Sequence, residues 1–185
     1  GRLVSGKTTV AILITPFCCI IGGSTVGLLI GPPISEFMSW LGFIINWGTE
    51  QAPFLMGVIV SVAMGMVLTL PISSAALGII LGLNGIAAGA ATVGCCANMV
   101  GFAVASYKEN GVNGLLAQGL GTSMLQISNI VKKPLIWLPA IITSAILGPV
   151  STLVFKMTNN ATGSGMGTAG LVGQINAYQT MVSEG

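Results

Sequence analysis

The chain has 185 residues, 53% of them hydrophobic and only 5% charged, with a formal net charge of +2 and no histidine. Soluble domains carry about a quarter charged residues, and a soluble protein with so few would have little to keep it dispersed. The mean hydropathy of +0.93 therefore points to an all-α, polytopic membrane protein. So small a net charge leaves no nucleic-acid footprint, and the lack of His and Asp argues against hydrolytic or acid–base catalysis.

In chain order, Gly1 to Thr8 is a short basic entry with Arg2 and Lys7, and Thr9 to Ile30 reads as the first spanning helix, stopped by Gly31-Pro32-Pro33. Ser35 to Trp47 reads as an interfacial helix capped by Ser35, with Phe37, Trp40, Leu41, Ile44 and Ile45 at helical spacing. Gly48 to Pro53 is a polar break, and Phe54 to Leu70 the second span. Pro71 interrupts it, and Ile72 to Leu83 is too short for a full span and reads as a re-entrant hairpin or half-helix. Gly85 to Tyr107 is the third span, and Lys108 to Gly114 a surface loop by its charges, Asn and Gly. Leu115 to Val131 is too polar for lipid and too apolar for a solvated loop, so it reads as a second re-entrant or cavity-lining element. Lys132-Lys133-Pro134 marks an interface. Leu135 to Phe155 is the fourth span, and a polar, Gly-rich tail follows from about Met157.

The expected architecture is thus about four spanning helices plus re-entrant and interfacial helices in a single membrane-embedded domain over residues 1–185. Because the chain opens in mid-pattern at Gly1, it is expected to be the C-terminal part of a longer permease. Arg2 and Lys7 suggest a cytoplasmic start, but the orientation of the remainder stays open.

Several motifs imitate chemistry. Gly1-Arg-Leu-Val-Ser-Gly-Lys-Thr8 matches a phosphate loop letter for letter, but such a loop needs a buried strand before it and a helix after it in an α/β sheet. A basic interfacial loop fits the same residues. Gly165-Met-Gly-Thr-Ala-Gly170 matches the dinucleotide fingerprint, with no ribose-binding acid downstream, so a flexible loop or re-entrant tip is expected. The cysteines form two vicinal pairs, Cys18-Cys19 and Cys95-Cys96. Adjacent cysteines are strained as a disulfide and lack zinc-site spacing; they read as packing residues. No cofactor or metal is expected.

The uncharged stretch from Leu70 to Met99 is rich in Gly, Ala, Ser, Cys and Thr and sets Asn84 and Asn98 in an apolar matrix. Small residues let helix backbones approach closely, and broken helices at membrane depth persist only where they line a cavity or pack on protein. Across the chain the apolar matrix holds Asn46, Glu50, Gln51, Ser73, Ser74, Asn84, Asn98, Gln118, Gln126 and Asn129. Buried amides must be satisfied by protein or by ligand. A neutral, amide-rich set with one carboxylate, Glu50, suits a sugar rather than an ion pathway of charged rings; amides that merely bond neighbouring helices fit the same residues.

At Thr69-Leu-Pro-Ile-Ser-Ser-Ala-Ala76, at Gly89-Ala-Ala-Thr-Val-Gly-Cys-Cys-Ala-Asn-Met-Val-Gly-Phe-Ala103 and at Gly119-Leu-Gly-Thr-Ser-Met-Leu-Gln-Ile-Ser-Asn-Ile130, the chain resembles the second enzyme IIC family of the bacterial phosphotransferase system. Gly1 to Thr8 and Gly31-Pro-Pro33 carry the same likeness. The family includes membrane regulators of the perfringolysin-regulator type. The resemblance implies a dimeric, multi-pass sugar permease of the bacterial inner membrane, the transport component of a sugar phosphotransferase complex rather than an enzyme on its own. A partner IIB, charged by IIA, would phosphorylate the sugar as it crosses. In better-known IIC families a His and a Glu contact the sugar; Glu50 is a candidate for that Glu, though no motif matches it, and these residues hold no His. The alternative is a non-transporting membrane regulator or sensor.

Overall fold

The computed structural model describes residues 11–184, and the side chains among them from Ile20 onward except Val26, Leu29 and Ile30. The chain divides into two compact units, Gly1–Met38 and Ser39–Gly185. Among the described residues there is no sheet; one isolated antiparallel bridge joins Gly85 and Asn159.

The first helix, α1 (Ala11–Gln51), is helical throughout. Two expectations are therefore corrected: Gly31-Pro32-Pro33 does not stop the first helix, and Ser35 caps nothing because it lies inside it. Proline frees the carbonyl four residues back, here those of Leu28 and Leu29, but apolar helices tolerate this where local adjustments re-satisfy the freed groups. In the first unit the described apolar side chains Ile20, Ile21, Leu28 and Ile34 are exposed.

In the second unit α1 runs on through the first four residues of the expected polar break and ends at Gln51. Ala52 leaves the helical region (φ −133°, ψ 69°) and Pro53 opens α2 (Pro53–Thr69), a position where its missing N–H costs nothing. The buried face of α2 carries small residues every fourth position: Gly57, Ser61, Gly65 and Thr69. The same spacing recurs in α6 (Leu138–Pro149) and just beyond it, at Ala140, Ser144, Gly148 and Thr152, all buried. Between them runs α4 (Gly85–Leu116), whose Ala90, Gly94, Asn98 and Phe102 are buried at that spacing too. Residues four apart share a helix face, so these stripes bring the three backbones close.

A Cβ on Gly94 would fall on the Ser61 carbonyl oxygen, and one on Gly148 on the Gly57 carbonyl oxygen. Polar side chains knit the seam. Ser61 Oγ donates to Ser144 O (2.6 Å), Asn98 Nδ2 to Ser144 Oγ (2.9 Å), and Thr152 Oγ1 to Pro53 O (2.8 Å). In lipid there is no hydrophobic drive between helices, so close packing and such bonds hold the bundle together.

Among the described residues, two helices are long and apolar enough to cross a membrane, over Gly85–Gly121 and Pro134–Phe155; α2, at 17 residues, is a shorter apolar helix. The expected half-helix after Pro71 is α3 (Ser74–Ile80), whose N-terminus is capped by Ser73 Oγ accepting from Ala76 N (3.2 Å). It packs on α7 (Ala161–Ser164): Ser74 Oγ donates to Gly165 O (2.6 Å), and a Cβ on Gly78 would strike Ser164 Oγ.

The tail is more ordered than its composition predicts. Asn159 is buried and donates to Thr92 Oγ1 (2.7 Å) and Gly173 O (3.1 Å), tying the segment to α4 and to α8 (Val172–Glu184). The flexible loop expected at Gly165–Gly170 is corrected with it. Gly165 and Gly167 are buried, and a Cβ on Gly165 would meet the Ser74 carbonyl. The glycines there allow close backbone contact rather than phosphate binding.

Candidate functional site: a polar cleft beside α4

The site begins where α4 was expected to have ended. Lys108–Gly114 is not a surface loop but helix, broken at one residue, Gly111 (φ 60°, ψ −150°), in a region that essentially only glycine occupies. The charged and Asn-rich cluster does mark a break, but a single glycine absorbs it. The helix therefore carries Ser106 and Asn110 onward on one face, four residues apart, and Asn110 Nδ2 donates to Ser106 Oγ (2.9 Å).

The chain then doubles back. A π-helical turn (Ala117–Gly121) leads to extended Thr122, whose Oγ1 accepts from Met124 N (3.1 Å). A 3-10 turn (Ser123–Gln126), α5 (Ile127–Lys132) and a second 3-10 turn (Pro134–Trp137) follow. Two anchors hold this segment. Ser123 Oγ lies 3.2 Å from Thr69 Oγ1 at the end of α2, and Ile130 packs with Phe102 and Ala140, with Trp137 against them. Irregular backbone of this kind is expected at membrane depth only against protein or a cavity.

Between α4 and the returning segment lies a cleft with two lobes that share Ser106, Asn110, Gln126 and Asn129. One lobe, of about 490 Å³, reaches Asn113 and Gln118. The other, of about 450 Å³, reaches Phe102, Glu109, Lys132 and Lys133. Small-molecule sites run from about 300 to 1,000 Å³. The amides form a relay along the wall: Asn129 Nδ2 donates to Gln126 Oε1 (2.8 Å), and Gln126 Nε2 donates to Gln118 Oε1 (3.1 Å). Its two ends, Gln118 Nε2 as donor and Asn129 Oδ1 as acceptor, have no protein partner among the described residues. A neutral wall with spare donors and acceptors can hold a ligand that both gives and accepts hydrogen bonds.

Of the residues singled out in the sequence, the cleft brings together Gln118, Gln126 and Asn129. Asn46 and Asn84 meet elsewhere: Asn46 donates to Gly82 O (2.9 Å) and accepts from Asn84 N (3.3 Å), and Asn84 Nδ2 donates to Gly82 O (3.1 Å). This pins the end of α1 to the turn between α3 and α4. Glu50 and Gln51 are exposed on the last turn of α1 and line neither lobe. Ser73 and Ser74 serve the ends of α3 and its contact with α7. Asn98 is buried and saturated: its Nδ2 donates to Gly94 O and Ser144 Oγ, and its Oδ1 accepts from Trp137 Nε1 (3.3 Å).

The sequence reading missed Ser106, Asn110, Glu109, Lys132 and Lys133 as lining residues. The Ser106–Asn110 spacing was the available signal, hidden by reading a loop. Among the described residues no group of three or more His, Cys, Asp or Glu is placed to hold a metal. Cys95 is a buried free thiol that donates to Met64 O (3.5 Å) and packs the α2–α4 seam. Gly1 to Thr8 and the side chains of Cys18 and Cys19 lie outside the described residues.

A family model described as phosphotransferase system, EIIC, matches residues 1–184. The chain belongs to that family. No curated protein and no solved structure matches it. Family membership and the two apolar helices make this a membrane-associated bacterial protein with a helical membrane fold, and its general role that of an EIIC-type membrane transport protein.

The EIIC chain's buried seam gives a direct test of how its amides divide between packing and binding. Asn98→Leu would strand Trp137 Nε1 and remove a bond to Ser144. Leaving such groups unsatisfied costs about 1–3 kcal/mol, so the unfolding midpoint in detergent should fall clearly.

Proposed function

We propose that the protein is the membrane-spanning sugar permease of a phosphotransferase system in the bacterial inner membrane, crossing it several times, and that the cleft beside α4 is its sugar site. The observation that carries this reading is the Gln118–Gln126–Asn129 relay, which ends in a donor and an acceptor with no protein partner among the described residues, on side chains that line a space large enough for a hexose. A sugar is neutral and covered with hydroxyls, each both donor and acceptor, so it would complete the relay at both ends. Ser106 and Asn110 would bind from the opposite wall. On this reading the chain is not an enzyme by itself: a partner IIB, charged by IIA, supplies the phosphoryl group, and the permease works as a homodimer.

A second reading, a membrane sensor that binds sugar without moving it, is supported by one feature. The 185 residues hold no histidine, and Glu50 lines neither lobe of the cleft.

Reconstitution of the full-length protein into proteoliposomes separates the two. Labelled hexoses should accumulate inside, as phosphates, only when phosphorylated IIB is present. Saturable binding without uptake under any condition would favour the sensor, and absence of any sugar dependence would overturn both.

A further inference from the structure

A second concavity follows the seam between α4 and α6. A groove of about 450 Å³ is walled by Val93, Val100 and Val104 on one helix and by Thr143 and Leu147 on the other. Val93 and Leu147 also wall a narrower pocket of about 170 Å³, which continues past Ser151 to Phe155 and Met157. No charged side chain lines either part, and the Thr143 hydroxyl is already spent on Pro139 O (2.8 Å).

Two features set the narrow end apart from a plain crevice between helices. Ser151 lies on the π-helical turn Val150–Phe155. It is 3% exposed, and its Oγ has no hydrogen-bond partner. Buried polar groups as a rule have one, and a helical serine can donate to the carbonyl four residues back; Ser151 makes no such bond. Lys156 then ends the turn in the left-handed region (φ 43°, ψ 44°), where a residue with a Cβ is uncommon and worth explaining. Its side chain is exposed, and no acid among the described residues pairs with it. Lys156 directly follows the apolar segment Pro134–Phe155, so the narrow end of the groove stands at the membrane surface and the wide end inside the membrane.

We propose that this groove binds one anionic glycerophospholipid of the surrounding leaflet, with an acyl chain along Val93, Val100 and Leu147, an ester carbonyl at Ser151 and the phosphate at Lys156. The dimensions agree. From Thr143 to Phe155 the helix rises roughly 18 Å, and one leaflet contributes about 15 Å of hydrocarbon. The chemistry agrees as well. An acyl chain matches a wall of Val and Leu, an ester carbonyl accepts from a hydroxyl that still has its proton to give, and lysine meets a phosphate as a compact charge. A helix of a second copy laid in the groove would fit its apolar wall, but the carbonyls of a spanning helix are bonded within that helix, so it would offer Ser151 no acceptor. The site lies at the end of Pro134–Phe155 opposite the polar cleft and is independent of what the cleft binds.

The full-length protein, stripped of lipid in detergent, is given equal amounts of palmitoyl-oleoyl phosphatidylglycerol and phosphatidylcholine, and the first lipid bound is identified by intact-protein mass spectrometry. Phosphatidylglycerol should be favoured about fivefold, the worth of one lysine near an anionic lipid surface. Lys156→Gln should bring that ratio to about one with lipid still bound, whereas Lys108→Gln should leave it unchanged. Ser151→Ala should weaken both lipids equally. Val100→Trp places an indole in the wide part of the groove from a position that is 49% exposed; it should lose most of both lipids with an unchanged circular-dichroism spectrum. The absence of any bound lipid, a ratio near one in the unaltered protein, or a ratio that survives Lys156→Gln overturns the proposal. So does Val100→Trp with its lipid intact, and if that variant splits a dimer instead, a second copy covers the groove. Should the tryptophan variant not fold, Lys156→Gln alone decides.

Discussion

Replacing Gly94 by valine is expected to abolish recovery of folded, monodisperse protein from detergent. Gly94 sits where α4 crosses α2, and the first carbon added there would fall on the backbone carbonyl of Ser61, with Ser61 Cα 2.7 Å away. A flexible side chain can swing aside, but a carbonyl within a helix moves only if the whole helix moves. Overpacking a well-filled core costs about 1–3 kcal/mol and sometimes more. Here separating α2 from α4 would also lengthen the bonds that join Ser61, Ser144 and Asn98 across three helices. The control lies two turns along the same helix. A Cβ on Gly101 would meet only the Ala140 methyl at 3.6 Å, an ordinary contact, so Gly101→Ala should match or slightly raise the thermal midpoint, since Ala is the better helix former. Equal behaviour of the two variants would mean that the small-residue seam does not hold the bundle.

Replacing Gln126 by leucine is expected to weaken sugar binding at least tenfold while changing the thermal midpoint by only a few degrees. Gln126 is the middle of the relay: it accepts from Asn129 and donates to Gln118, and it lines both lobes. Leucine has similar bulk but no polar atoms, so both neighbours lose their orientation at once. A site built to hydrogen-bond a ligand and then left with unpaired groups loses affinity steeply. The fold should tolerate the change because Gln126 is only half-buried. Isothermal titration with glucose, mannose and galactose checks the first part and a detergent melt the second. Glu50→Gln is the comparator. Exposed at the end of α1, Glu50 should influence binding by less than about twofold; a large loss there would move the sugar site to the Asn46–Asn84 junction.

The structure returns the arrangement of the central helices much as the chain predicts it, and the reason is local. Apolar runs long enough for a helix, punctuated by Pro53 and Pro71, mark α2, and the short helix after Pro71 follows from the length of its apolar run; that Ser73 caps it is shown only by the structure. Local signals fail where a neighbour compensates. Gly31-Pro32-Pro33 reads as a stop, yet α1 passes through it. Lys108 to Gly114 reads as a loop, yet the helix gives way only at Gly111. Gly165–Gly170 reads as a flexible loop or re-entrant tip, yet Gly165 and Gly167 are buried where the backbones of α3 and α4 press on them.

What the amino-acid sequence determined by itself is the class of protein and its chemistry. A chain with so few charges and so many small apolar residues belongs in a membrane, and neutral amides are nearly all it can offer a ligand. Which amides remain available was decided only by the tertiary structure. Asn98 and Gln126 look alike along the chain; one is saturated by Ser144, Gly94 and Trp137, and the other stands at an open cleft. The difference lies in what long-range packing sets opposite each side chain. Hydrogen-bond satisfaction belongs to pairs of groups brought together by the fold, and no periodicity within one segment encodes the partner.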